Sequence, residues 1–217
     1  MYASRKLKIT ELINNELFDK EKNIYGSGIQ IDMTYPLLAG IVPENLKETI
    51  ETRLKDVIIK GHAGHIACGL VGIPVFTEWS VKNKKSDLFY SMLKKRDYPG
   101  YLYMIDNGAT TTWEHWNGAR SRIHNCYNGI GSWFYQSVGG INKDENSPGY
   151  QHIIIDPAIP KGITWANTTK ETPYGTVKVN WIIENGVFNM TVNIPVGCTG
   201  ILVIPDLVMS LVKWRKL

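Results

Sequence analysis

The chain has 217 residues, of which 43% are hydrophobic and 20% charged, and a formal net charge of +4. Those proportions exclude a disordered, collagen-like or coiled-coil chain, and no apolar run reaches the ~18 residues that a membrane-spanning helix needs. The basic excess is spread out, and its one cluster, Lys82, Lys84 and Lys85, has no nucleic-acid motif around it, so no nucleic-acid or membrane partner is assigned.

In chain order, Leu7, Leu12, Ile13 and Leu17 suggest a first helix. Gly28–Ile41 fits either helix or extended chain. Pro43 and Glu44 suit a helix start, and Leu46, Ile50, Leu54 and Ile58 then recur every four residues along one face, with Val57 beside them. Glu51 and Lys55 are spaced to pair on the outer face. Ile66–Trp79, with Pro74 inside, is again ambiguous. Ser86 reads as an N-cap before Leu88, Phe89, Met92 and Leu93. Ile130, Trp133, Phe134 and Val138 predict a further helix over about Tyr127–Val138, making roughly six helices in all.

Near residue 142 the period changes from that of a helix to two. Val177, Val179, Trp181 and Ile183 alternate with Lys178, Asn180 and Ile182. A second alternating run, Phe188, Met190, Val192 and Ile194, follows Asn185-Gly186. Asn-Gly between two such runs predicts a hairpin. Ile153–Ile155 and Ile201–Ile204 read as two more strands. The tail half is therefore a small antiparallel β domain, a sandwich or part of one, read as structural support, with Trp165 and Tyr174 as its candidates for ligand contact. The closing segment, Asp206–Leu217, is apolar and then basic (Trp214-Arg215-Lys216) and would be amphipathic as a helix.

Three cysteines, Cys68, Cys126 and Cys198, are too few and scattered for a disulfide framework. The start, MYASRKLKIT, has no apolar core of a secretory signal, and the compartment stays unassigned. Seven Trp and eleven Tyr are the more telling counts, because flat apolar rings with polar edges suit sugar ligands as well as cores.

Chemistry concentrates between Tyr98 and His124. Glu114 stands between Trp113, His115 and Trp116, after Thr110-Thr111-Thr112. Indoles beside a carboxyl group raise its pKa by desolvation and nearby donors lower it, and either effect tunes it for proton transfer. The competing reading has Glu114 capping a helix or pairing with Arg120 or Arg122. His124, ten residues on, is a second candidate. His62, His65 and Cys68 form H-x-x-H-x-x-C, a metal-ligand spacing on a helix. Gly61 and Gly64 argue against that helix, so no metal and no cofactor is assigned. G-x-G-x-x-G, a Walker lysine and G-x-S-x-G are all absent.

The run Gly108-Ala109-Thr110-Thr111-Thr112-Trp113-Glu114-His115-Trp116 resembles the G-A-T-T-x-W-E-x-W segment of α-L-rhamnosidases, glycoside hydrolase family 78. Further matches run in the family's order. Gly64-His65-Ile66 through Gly72 resembles its H-x-x-x-G helix start, and Tyr98-Pro99-Gly100-Tyr101 with Met104-Ile105 the approach to the motif. Ser121-Arg122-Ile123-His124-Asn125, Trp133-Phe134-Tyr135 and Gly139-Gly140-Ile141 follow. Pro148-Gly149-Tyr150 and Thr172-Pro173-Tyr174-Gly175 resemble marks of the β domain.

The resemblance implies an (α/α)6 toroid followed by a β-sandwich, acting on a rhamnose-containing glycoside or oligosaccharide with inversion. It makes Glu114 the general base, His124 a sugar contact, and Trp116 and Trp113 lining of the pocket. Two departures stand out. The stretch from Glu114 to His124 is shorter than in the family. No segment matches the family's acid-bearing D-C-P-x-R-D-E run, and Asp32, Glu78 and Asp106 do not fit it. A twelve-helix toroid takes roughly 200 residues. The expectation is therefore a partial toroid over 1–142, a β-sandwich over 148–206 and a tail over 207–217, with the chain truncated and inactive alone. Its missing half, or a second copy, would be its protein partner. A non-catalytic carbohydrate-binding fragment is the alternative.

Overall fold

The first helices form because their apolar residues recur every three or four positions. A computed structural model of the chain describes residues 2–205. The predicted amphipathic tail lies outside the described residues. Contacts divide the chain into two units, Met1–Ile130 and Gly131–Leu217. No helix among the described residues is long and apolar enough to cross a membrane.

The first unit opens with α1 (Tyr2–Glu16), which buries none of its residues. The short pair β1 (Phe18–Asp19) and β2 (Ile24–Tyr25) leads to α2 (Gln30–Leu38). The ambiguous Gly28–Ile41 segment thus resolves as a helix, with Pro36 inside it. In α3 (Glu44–Asp56) the predicted face is the buried one. Ile50 and Leu54 are fully buried, and Ile58 continues the face into the π turn Val57–Gly61. Each such side chain contributes about 1.5–3 kcal/mol by leaving water. Glu51 does not pair with Lys55. It pairs with Lys85 at 2.7 Å, where a tertiary neighbour replaces the expected local one.

The Ile66–Trp79 segment divides. Residues 65–69 run without regular structure, and α4 (Gly72–Lys82) follows with Pro74 in its first turn, where the missing N–H costs little. Buried Gln30 fixes the irregular part. Its Nε2 donates to the His65 carbonyl at 2.8 Å, and its Oε1 accepts from the Ala67 N–H at 2.9 Å. Then come α5 (Ser86–Leu93) and α6 (Tyr101–Asp106). Ser86 is the first residue of α5 and Lys85 occupies the cap position, so the predicted cap is one residue late. Phe76, Phe89, Trp79, Met92 and Ile73 are buried together with the α3 face in the core of this unit. The Phe76 and Phe89 rings lie 5.7 Å apart.

The predicted Tyr127–Val138 helix is helical but not one helix. A 3₁₀ segment covers Asn125–Ile130, α7 a single turn (Gly131–Trp133), and a π segment Phe134–Val138. Gly129 and Gly131, poor helix formers, sit where the winding changes.

The second unit holds β3 (Ile141–Lys143), β4 (His152–Ile155), β5 (Trp165–Thr172), β6 (Gly175–Glu184), β7 (Val187–Asn193) and β8 (Thr199–Leu202). They form two three-stranded sheets, β3-β4-β8 and β5-β6-β7. Pairing is antiparallel except that β8 runs parallel to β4. The predicted hairpin turns at Asn185 and Gly186, with φ of 51° and 77°. Both residue types tolerate that left-handed region, and its twist suits the flanking strands. Thr172-Pro173-Tyr174-Gly175 is the other two-residue turn, joining β5 to β6. Val177, Val179 and Trp181 are buried, and the Trp181 indole donates to the Val138 carbonyl at 2.8 Å.

Candidate active site

Glu114 lies on an irregular loop after α6, not on a helix. Two backbone rungs shape that loop. The His124 N–H donates to the Thr112 carbonyl at 2.9 Å, and the Glu114 N–H to the Ser121 carbonyl at 2.9 Å. Thr112 reinforces the first rung. Its Oγ1 donates to the His124 carbonyl and lies 2.7 Å from Asn128 Oδ1. The sequence motif and His124 are therefore held side by side as two arms of one loop.

The two indoles anchor this loop. Trp116 is buried, stacked on Tyr127 at 4.0 Å and edge-on to Tyr101 at 5.1 Å. Tyr101 in turn donates its hydroxyl to the Tyr127 carbonyl at 2.8 Å. Trp113 is buried too, with the Arg122 guanidinium 5.3 Å from its ring centre. Gly118, at φ 75°, lies against that ring, and a Cβ there would come within 3.0 Å of Trp113. Only glycine meets both conditions comfortably.

The Glu114 side chain remains 26% exposed. Its Oε2 accepts from the Ser121 N–H at 3.3 Å, and its Oε1 from Arg120 Nη1 at 3.4 Å. The Ser121 hydrogen bond is the chief cause that lowers its pKa below the usual glutamate value. Partial desolvation opposes it, and Arg120 and then His124 add to the lowering. The carboxyl is therefore an ionised acceptor at neutral pH, with a face open to solvent. His115 Nε2 stands 3.9 Å from Oε1. Of the two arginines read as possible partners, Arg120 takes Glu114 and Arg122 takes Trp113. Tyr101, Tyr127 and the Ser121 amide were not legible as parts of this loop, since their roles arise from contacts across 7 to 26 residues.

The H-x-x-H-x-x-C residues do not share a helix face. Ala63 and Gly64 have φ of 50° and 79°, which break the winding between His62 and His65. Both His65 nitrogens are engaged, Nδ1 with the Pro99 carbonyl at 2.7 Å and Nε2 with Asp97 at 3.1 Å. Burial pushes the Cys68 thiol up to about 12. Among the described residues no group of three or more His, Cys, Asp or Glu side chains is placed to hold a metal ion.

Residues 1–138 match the bacterial alpha-L-rhamnosidase 6 hairpin glycosidase domain, and residues 140–215 the bacterial alpha-L-rhamnosidase C-terminal domain. The chain belongs to the bacterial α-L-rhamnosidase family. It is 28% identical over 206 residues to an alpha-L-rhamnosidase of Alteromonas sp. (strain LOR), covering 89% of this chain and 22% of that one. An alpha-L-rhamnosidase of Formosa agariphila is 30% identical over 216 residues, covering 94% of this chain and 23% of that relative. Among solved structures, the Streptomyces avermitilis alpha-L-rhamnosidase complexed with L-rhamnose superimposes with a TM-score of 0.87 at 25% identity, over 94% of this chain and 20% of that one. The native Aspergillus terreus enzyme gives 0.86 at 25% identity, over 94% and 25%. The fold class read from the sequence, part of a six-hairpin domain followed by a β domain, is thus the family's. The chain spans about a fifth of the length of the curated relatives it matches.

Proposed function

We propose that this chain carries the base side of an α-L-rhamnosidase site. Glu114 removes a proton from water as the water oxygen attacks the anomeric carbon of a terminal α-L-rhamnose. The glycosidic bond breaks on the opposite face, its oxygen takes a proton from a general acid, and the configuration inverts. The observation that supports this role is the ionised, partly exposed Glu114 carboxylate, oriented by the Ser121 N–H and Arg120. A base must first be within reach of its water, and its pKa must then leave it unprotonated. His124 is assigned to the sugar hydroxyls. Trp116, with Trp113, forms the wall beneath the loop, which makes them positioning groups as much as sugar contacts.

On this reading residues 1–142 are the C-terminal part of a six-hairpin domain, 148–206 its β-sandwich and 207–217 a tail. The general acid comes from outside these residues, so the isolated chain does not turn over. The test is hydrolysis of an aryl α-L-rhamnoside by the chain alone and by the chain extended with whatever its gene encodes upstream of Met1, with the released anomer read by NMR. The extended form should release β-L-rhamnose, and Glu114→Gln should lower its rate by about 10²–10⁴-fold. Release of the α anomer, or full activity in Glu114→Gln, would sink the assignment.

A further inference from the structure

The outward face of the β5-β6-β7 sheet carries a surface that the Glu114 reading does not use. Strand alternation turns Ala166, Val177, Val179 and Trp181 inward. It turns Trp165, Asn167, Asn180, Ile182, Asn189 and Thr191 outward. The register places Trp165 beside Ile182 and Ile182 beside Asn189. The next row runs Asn167, Asn180, Thr191. These six residues, together with Trp181, line a cavity of about 280 Å³, just below the ~300–1,000 Å³ typical of small-molecule sites.

The lining has two components. Trp165 is 61% exposed and Ile182 37%, so an indole and an isobutyl-sized patch face water at the cost of burying nothing. Around them stand three amides and a hydroxyl. None of the four bonds another described residue, which leaves six N–H donors on the amides and all of their acceptors available. No charged side chain lines the cavity. That neutrality disfavours phosphate-bearing ligands, which need cations. Broad protein interfaces favour larger apolar centres than one indole and one isoleucine. A sugar ring matches both components, with a C–H face for the indole and hydroxyls that both donate and accept. Three strands at ~4.8 Å spacing spread these groups over about 10 Å, the span of one to two rings.

We propose that this face binds a neutral saccharide, stacked on Trp165 and hydrogen-bonded by Asn167, Asn180 and Asn189. It is a binding platform of the β domain, separate from the catalytic reading. Tyr174, the other candidate in this domain, lies in the β5–β6 turn and is not part of it.

The experiment is an NMR titration of the ¹⁵N-labelled chain with methyl α-L-rhamnoside, cellotetraose and maltotetraose, each to millimolar concentration. The proposal expects saturable shifts of the Trp165 indole N–H and of the Asn167, Asn180 and Asn189 side-chain amides with at least one of them. Trp165→Ala should weaken that binding about tenfold or more through loss of the stacked face. Asn180→Ala and Asn189→Ala provide the same test if the tryptophan variant does not fold. Three results overturn it: no saturable shift at these groups with any of the three sugars, unchanged binding in the variants, or shifts that follow protein concentration without sugar, which would make the face a contact between copies. Because the readout is assigned to individual groups on the sheet, it stands or falls independently of Glu114.

Discussion

The indole of Trp116 lies 4.0 Å from the ring of Tyr127, with the two planes 19° apart. This stack joins the loop that bears Glu114 to the 3₁₀ segment beyond His124. Trp116→Ala should therefore act first on stability, lowering it by about 3–5 kcal/mol in denaturant unfolding. Trp116→Phe, which keeps a ring on Tyr127, should lose less than half of that. If Trp116→Ala melts like the parent and loses only sugar binding, the indole is a pocket wall and not an anchor.

Glu114 should titrate below an ordinary glutamate, as followed by carboxyl NMR. Its folded pKa is lowered, so the stabilising contribution is present above the unfolded value and is lost as pH falls through the folded one. Arg120→Gln should raise the pKa only in part, since the Ser121 N–H still lowers it. A return to the ordinary value in that variant would contradict this role of the Ser121 N–H.

Helix α1 exposes Tyr2, Leu7, Ile9 and Leu12 and buries nothing. Exposed apolar side chains of this size, spread around the helix, drive association. Gel filtration across a concentration series should show the chain self-associating, and Leu7→Lys with Leu12→Lys should shift it toward the monomer. A sharp monomer peak for the parent at all concentrations would contradict both statements.

Gln30 is fully buried and bonds the backbone on both sides of Ile66. Gln30→Leu keeps the volume but orphans the His65 carbonyl and the Ala67 N–H. Each orphaned group costs about 1–3 kcal/mol, so chemical denaturation should show a loss of about 2–6 kcal/mol. Amide exchange at Ala67 should accelerate in parallel.

Cys68 is 5% exposed and its thiol is pushed up to about 12, so almost no thiolate exists at pH 8. Iodoacetamide should leave Cys68 unmodified in the native chain and label it in denaturant, as peptide mass spectrometry would show. Rapid native labelling of Cys68 would place it at an open surface.

What could be read from the sequence follows how local its cause is. The α3 face was legible because Ile50, Leu54 and Ile58 meet the core at the spacing of the helix itself. The hairpin was legible because Asn185 and Gly186 supply its two left-handed residues. Strand β5 was not, since its inward positions include Ala166 and Thr168, which are hardly apolar against their neighbours. Neither was the parallel pairing of β4 with β8, which joins His152 to Thr199 across the whole intervening meander. In the candidate site the motif named Glu114 and His124, whereas the Ser121 amide that orients the carboxylate is backbone and leaves no mark in composition.

The two rungs of the Glu114 loop separate its length from its aim. Thr112 with His124, and Glu114 with Ser121, close the base of the loop, while His115–Arg120 form only the tip. Residues added at the tip lengthen an overhang and leave both arms in register. An insertion at the tip would thus reshape the mouth of the site while Glu114 keeps its place.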